Sequence, residues 1–180
     1  MTHLNVEIKA RHHNPDFIRQ YLNKHNADFK GADHQIDTYF NVANGRLKLR
    51  EGNIENNLIY YNRSDESKAK ESHFQLVHVP DPKVLKEVLT QCLGVKIVIE
   101  KQREIYFIGN IKFHIDNVAG LGSFTEIEAS NMYAQISKDG LQEQCNFYLK
   151  EFGIKDEDLI AVSYSDMLLE KNQAIRAELS

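Results

Sequence analysis

Charged side chains recur at every second position in several short stretches of this 180-residue sequence. Arg46, Lys48 and Arg50 are spaced in this way, and so are Glu126 and Glu128. Alternate residues of a β-strand share one face, so each set would present a single sign of charge. Basic side chains suit phosphate oxygens, and paired carboxylates suit a hard cation such as Mg²⁺. Together, the two kinds of set are typical of phosphoryl or nucleotidyl transfer.

The same alternation runs through other stretches of the chain. It groups Asn5, Glu7, Lys9 and Arg11 opposite Leu4, Val6, Ile8 and Ala10; Lys112, His114 and Asp116 opposite Ile111, Phe113 and Ile115; and Lys101 with Arg103. Two interpretations are open, because such faces could either contact water or line the inside of a barrel. In the second case the like charges would repel one another, and a bound polyanion would relieve that repulsion.

The pattern of apolar residues predicts an α+β fold with an eight-stranded antiparallel β-barrel and helices packed on its outside. Strands are predicted at about 3–12, 34–42, 46–52, 57–63, 70–79, 95–108, 111–118 and 122–130, mostly joined by short turns. Helices are predicted at about 15–26, 82–93, 137–152 and 164–175; Asn14-Pro15 is an N-cap signal for the first, and Asp81-Pro82 opens the second. The second helix is expected to bury Val84, Leu85, Val88, Leu89 and Cys92.

Length and composition predict one domain over residues 1–180, with a core at about 3–170 and a short polar tail. The net charge of −4 argues against general nucleic-acid binding. The two cysteines, Cys92 and Cys145, are expected to be reduced. The N-terminal residues lack a signal-peptide pattern, and no apolar run could span a bilayer. We therefore expect a cytoplasmic monomer or homodimer.

Five segments in fixed order resemble a known family. They are NVEIKAR (5–11), QIDTYFNVANGRLKLRE (35–51), LIYYNR (58–63), EKQRE (100–104) and HIDNVAGLGSFTEIE (114–128). The sequence resembles the CYTH superfamily, also called triphosphate tunnel metalloenzymes, over about residues 3–170. SYSDMLLEK (163–171) places the resemblance in the class IV adenylyl cyclase-like branch.

The resemblance implies a polar tunnel that binds a small-molecule triphosphate, such as ATP, another nucleotide or inorganic triphosphate, together with Mg²⁺ or Mn²⁺. It implies that triphosphate-binding residues are Lys9, Arg11, Arg46, Lys48, Arg50, Arg63, Lys101 and Arg103. It implies a metal site at Glu7, Glu126 and Glu128, with Lys9, Arg63 and Glu126 as the catalytic residues. Asp37 and Asp116 are interpreted as supports for the basic side chains.

One position departs from the family pattern. The family opens with E-x-E-x-K, whereas this chain has Asn5 in place of the first glutamate. Asparagine keeps an oxygen ligand but loses a negative charge, which leaves one or two metal ions as alternatives. Three functions therefore remain open: an adenylyl cyclase or triphosphatase, a non-catalytic nucleotide- or polyphosphate-binding module, and a structural barrel with a solvated charged face.

Overall fold

The computed structural model describes residues 3–11, 14–63, 70–132 and 135–178, which form eight strands and four α-helices. The strands are β1 (His3–Arg11), β2 (Asp28–Phe40), β3 (Arg46–Glu51), β4 (Asn57–Arg63), β5 (Lys70–His78), β6 (Val95–Ile108), β7 (Ile111–Val118) and β8 (Gly122–Ser130). The helices are α1 (Pro15–Lys24), α2 (Pro82–Leu93), α3 (Lys138–Glu151) and α4 (Tyr164–Glu178). Side chains of Asn14, Asp81 and Ser137 cap the first three helices, and the cap at Asn14 was predicted from the sequence.

The eight strands close into an antiparallel barrel in the order β1-β5-β4-β3-β2-β6-β7-β8. Closure follows from β1, which pairs with β5 along one edge and with β8 along the other. The strand register pairs charged residues of neighbouring strands, so Lys9 lies opposite Glu126 and Asp37 lies opposite Arg50. The predicted barrel is therefore confirmed, and its charged faces share one interior.

The outer face of the barrel is apolar where α1 and α3 cover it. Ile18 and Leu22 of α1 and Leu141 and Cys145 of α3 are fully buried. They belong to one core with outward-facing strand residues that include Val6, Ile8, Phe113 and Ile127. Because these apolar faces point outward into the helices, the alternate charged residues must point inward. The solvated-face interpretation is therefore wrong for these strands.

Helix α2 lies on the barrel differently from the prediction. None of its residues is fully buried, and Val84 and Val88 are 65% and 50% exposed. Cys92 is also exposed, while Leu85 and Leu89 are half-buried against the barrel. The expected burial was wrong for the valines and Cys92, because apolar spacing identifies a helical stripe without showing that a partner covers it.

The start of α4 enters one end of the barrel instead of packing on its outside. Tyr164 is buried in a second apolar cluster, which also contains Tyr39, Tyr61, Val118 and Phe124. The first turn of α4 therefore adds to the barrel interior, whereas α1 and α3 cover the outside as predicted. Among the described residues, no helix is both long and apolar enough to cross a membrane.

Candidate functional site

A cavity of about 150 Å³ occupies the barrel interior. Six basic and four acidic side chains line it, together with an apolar wall that β4 and β5 contribute. The basic residues are Lys9, Lys48, Arg50, Lys101, Arg103 and Lys112, and the acidic residues are Glu7, Glu55, Glu126 and Glu128. Eight residues that the sequence assigned to a site therefore surround one volume.

Asp37 organises the basic side chains of β3 and β6. Its carboxylate accepts hydrogen bonds from Arg50 at 2.8 and 2.9 Å, from Lys48 at 3.0 Å and from Lys101 at 2.9 Å. Burial alone would raise the pKa of Asp37, but Arg50, Lys101 and Lys48 hold that pKa well below its usual range. Asp37 therefore stays ionised and supports three cations, in the role expected of it.

Lys101 is the most perturbed of these cations. Its side chain is fully buried, and burial together with the nearby Arg103, Arg50 and Lys48 lowers its pKa to about 7, against the attraction of Asp37. A polyanion at this position would favour the charged ammonium form. Lys101 is therefore poised to gain a proton when such a ligand binds.

Asp116 supports Arg103 in the same way. The guanidinium donates to Asp116 at 2.6 and 2.5 Å and to Glu126 at 2.6 Å. The Tyr164 hydroxyl also donates to Asp116, at 2.8 Å. Burial would raise the pKa of Asp116, but Arg103 lowers it, so the carboxylate stays ionised.

Glu126 joins the basic groups of three strands. It contacts Lys9 Nζ at 3.2 Å and His114 Nδ1 at 3.2 Å, in addition to Arg103. Burial lowers the pKa of His114 to about 3, and the charge of Arg103 adds to this effect, so the imidazole is neutral. The like-charge repulsion expected in the interior is thus largely compensated by the carboxylates placed between the cations.

Sequence reasoning missed Glu55, which extends from the β3–β4 loop into the cavity. Its carboxylate accepts from Arg50 at 2.7 Å and from Gln35 at 3.1 Å, and it forms an ion pair with Lys112. No alternation marks a loop residue, so its placement could not be read from spacing. Lys112 was not among the predicted site residues either, although its position on the charged face of β7 was the available signal for its place in the cavity wall.

The carboxylates expected to hold a metal lie around Asn5. Asn5 is 6% exposed and donates to Glu128 at 2.5 Å, while its Oδ1 is buried and has no hydrogen-bond partner in the described part of the chain. Burial raises the pKa of Glu128, and Glu7, Glu126 and Glu55 raise it further. An orphaned oxygen beside mutually repelling carboxylates fits an oxygen-seeking cation such as Mg²⁺ or Mn²⁺.

The acidic side chains around Asn5 are not arranged about one common metal position. Among the described residues, no three carboxylate, imidazole or thiol groups are placed so that they could hold a metal ion. Glu126 is turned toward Lys9 and Arg103, and Glu128 toward Asn5. The donor chemistry therefore fits the ion, and the metal site at Glu7, Glu126 and Glu128 stays a prediction.

Three predicted phosphate-binding residues are placed elsewhere or lack a described side chain. Arg11 is exposed and lies over the Phe124 ring, 5.1 Å from its centroid. Arg46 pairs with Asp166 of α4 at 2.9 Å, beside a second, smaller pocket. Arg63 ends β4, and its side chain lies outside the described part of the structure. Their roles stay predictions.

A closed antiparallel barrel with a densely charged, partly capped interior defines a tunnel-type protein. The CYTH domain model matches residues 3–164, and the chain belongs to the CYTH domain family. The resemblance that the five ordered segments carry is thereby confirmed.

Named relatives and solved structures agree with this family. The chain is 29% identical over 177 residues to a Methanocaldococcus jannaschii protein named as a candidate adenylate cyclase, covering 91% of this chain and 98% of that one. It is similar to the structure of a Pyrococcus horikoshii protein, with a TM-score of 0.77, 25% identity and coverage of 90% and 98%. It also shares the fold of a Hippeastrum protein described as an adenylyl cyclase candidate with dominant triphosphatase activity (TM-score 0.66, 13% identity, coverage 95% and 96%).

Proposed function

We propose that this protein is a divalent-metal-dependent enzyme that binds a triphosphate in the barrel cavity and cleaves one of its phosphoanhydride bonds. The observation that carries the proposal is the grouping of Lys9, Lys48, Lys101 and Arg103 around one cavity, each on a carboxylate support. Donors held in place before the ligand arrives stabilise developing negative charge with little reorganisation. A triphosphate supplies the oxygens that these donors would bind, and a bound divalent ion would offset the carboxylates beside them.

The lysines of the cavity have donors to offer a phosphate. An ammonium carries three N–H donors, and the bond from Lys48 to Asp37 uses one of them; Lys101 also bonds to Asp37 and gains a further donor when a bound polyanion favours its charged form. Both groups line the cavity, so their remaining donors are available on that side for phosphoryl oxygens. Lys48 and Lys101 would hold the phosphate chain in line, which is the main protein contribution to phosphoryl transfer.

Glu7, Glu126 and Glu128, with the Asn5 oxygen, would hold the metal ion. When bound, the ion would neutralise charge on the phosphates and polarise the bond that breaks. Asn5 and Glu128 would orient their oxygens toward it, since Asn5 Oδ1 is already desolvated and lacks a partner among the described residues. Glu126 would be released from Lys9, whose ammonium could then contact a phosphate.

Two reactions fit this arrangement. In hydrolysis, water attacks the terminal phosphorus and orthophosphate leaves; in cyclisation, the ribose 3′-hydroxyl attacks the α-phosphorus and pyrophosphate leaves. The Methanocaldococcus jannaschii relative supports cyclisation by its name. The Hippeastrum protein shows that the fold can carry triphosphatase activity, although 13% identity relates the fold alone.

The test is to incubate the protein with ATP and, separately, with inorganic tripolyphosphate, each with Mg²⁺ or Mn²⁺. Cyclic AMP identifies a cyclase and orthophosphate identifies a triphosphatase. K48M should lose activity, whereas K83M, on the exposed side of α2, should retain it. Failure of both substrates with both metals would overturn the enzymatic proposal.

A binding module is the second candidate, and Asn5 favours it. An amide replaces the first carboxylate of the family motif, and this amide donates to Glu128 instead of adding charge. A protein of this kind would bind tripolyphosphate tightly without metal and without turnover. If the wild type binds tripolyphosphate without metal and N5E gains no turnover, the results would favour the binding module over the enzyme.

A further inference from the structure

The β3–β4 loop carries a permanent negative charge into the cavity. Glu55 lies on this loop, and its carboxylate lies between Arg50 of β3 and Lys112 of β7. Burial would raise the pKa of Glu55, but Arg50 and Lys112 hold it well below the usual range. The group is therefore an anion held on two basic side chains that otherwise would face the ligand.

The loop itself is built to keep Glu55 in place. Asp33 is fully buried, and its carboxylate accepts backbone N–H bonds from Asn53, Ile54 and Glu55 at 2.6, 2.9 and 3.1 Å. A Cβ at Gly52 would lie 2.7 Å from an Asp33 oxygen, so only glycine permits this close approach. These contacts make the loop a fixed part of the cavity wall.

The consequence for Arg50 is that all three of its guanidinium nitrogens bond to protein carboxylates. Nε and Nη2 donate to Asp37, and Nη1 donates to Glu55. The Lys112 ammonium likewise contacts Glu55. A phosphate group that bridged Arg50 Nη1 and Lys112 would have to take the place of the Glu55 carboxylate.

We infer that Glu55 is a specificity-determining residue that takes the place of one phosphate group and so limits the length of the phosphate chain the cavity binds. This inference rests on the proposed function, because it concerns the same cavity. It assigns the substrate class as short condensed phosphates, in which Lys48, Lys101 and Lys9 contact the chain. Longer chains are rejected because their additional phosphate would meet a fixed carboxylate.

The test compares binding of pyrophosphate, tripolyphosphate and tetrapolyphosphate by calorimetry, each with Mg²⁺, for the wild type and E55Q. In the wild type, affinity should stop rising beyond tripolyphosphate. In E55Q, Arg50 and Lys112 no longer hold a carboxylate, so the neutral side chain can move aside, and the ratio of tetrapolyphosphate to tripolyphosphate affinity should rise by about tenfold, the effect of one additional charge-assisted contact. E51Q is the matched control, since Glu51 pairs with Lys86 of α2 and does not line the cavity.

The outcomes separate this inference from the proposed function. If the wild type binds tripolyphosphate and E55Q keeps the wild-type ratio, the role of Glu55 is overturned while the proposed function stands. If no polyphosphate binds to the wild type or to E55Q, the proposed function fails with it. If circular dichroism shows that E55Q does not fold, E55D withdraws the carboxylate by one methylene, and an unchanged ratio in that variant overturns the inference equally.

Discussion

The Tyr164 hydroxyl donates a hydrogen bond of 2.8 Å to Asp116, which links the first turn of α4 to the ion-pair network of the barrel. The Tyr164 ring lies under the Lys9 ammonium, 4.0 Å from the ring centroid, and packs on Phe124. The C-terminal helix is therefore part of the cavity wall. A substitution in α4 should therefore alter the contacts of cavity side chains on β1, β6 and β7.

Removing that hydroxyl should destabilise the protein. Y164F keeps the ring but deletes a bond to an ionised acceptor, so we expect a loss of about 1.5–3 kcal/mol in the free energy of unfolding. Urea denaturation measures the loss. Y60F is the control, because Tyr60 lies on the outer face of β4 and is 37% exposed. Equal stability of Y164F and Y60F would contradict the proposed link.

Replacing Asp37 should leave Arg50 and Lys101, which are buried, and Lys48, which is partly buried, without their shared carboxylate. D37N is expected to cost about 3–5 kcal/mol, the range for breaking a buried ion pair on one side. Because a polyanion supplies the missing charge, tripolyphosphate should raise the melting temperature of D37N more than that of the wild type.

The control for D37N is E157Q, whose partner Lys155 is as exposed as Glu157 itself, at 74% each. Its stability should match the wild type, since exposed pairs contribute little. A D37N protein as stable as E157Q, with no greater response to tripolyphosphate, would show that Asp37 does not offset the cations.

Binding of tripolyphosphate should be accompanied by proton uptake at Lys101. The pKa of Lys101 is about 7 in the free protein, below the ordinary 10.5, so at pH 8 its amine is mostly neutral. A bound polyanion raises that pKa, and the amine then takes up about one proton at pH 8 but little at pH 6, where it is already charged.

Calorimetry in buffers of different ionisation enthalpy measures this uptake. The tripolyphosphate also titrates, so the quantity to compare is wild type minus K101M at each pH. K83M, on the exposed side of α2, should behave as the wild type. A difference near zero at pH 8 would mean that Lys101 does not change its charge on binding.

Introducing a carboxylate at position 5 should make stability depend on metal. The Asn5 amide donates to Glu128 at 2.5 Å, so N5D replaces that bond with a repulsive contact between oxygens. Without metal we expect a loss of about 1–3 kcal/mol, and Mn²⁺ should raise the melting temperature of N5D more than that of the wild type.

N62D provides the comparison for N5D, because Asn62 is exposed on β4 and does not line the cavity. It adds the same charge without placing it beside another carboxylate. Identical responses of N5D and N62D to chelator and to Mn²⁺ would argue against a metal site around residue 5.

Strand alternation carried most of what the sequence could predict about the site. The period of a strand is local, so alternation put Lys9, Lys48 and Glu126 each on the charged face of its strand; it left open whether those faces contact water or line a barrel, which the closed barrel then decided. The same reasoning failed for Val84 and Val88, since the exposure of a helical stripe depends on which elements reach it. The position of Glu55 in the cavity could not be predicted for a related reason, because it depends on Asp33, which is 22 residues away in the chain.

The three cations that share Asp37 have a practical consequence for mutagenesis. Lys48, Arg50 and Lys101 come from two strands but respond to one carboxylate, so substituting any of them redistributes the attraction among the others. The changes in the free energy of unfolding should therefore be strongly non-additive. Each single alanine substitution would report an energy that belongs to the whole group and not to the residue that was changed. Double-mutant cycles that include Asp37 would measure the group as a unit.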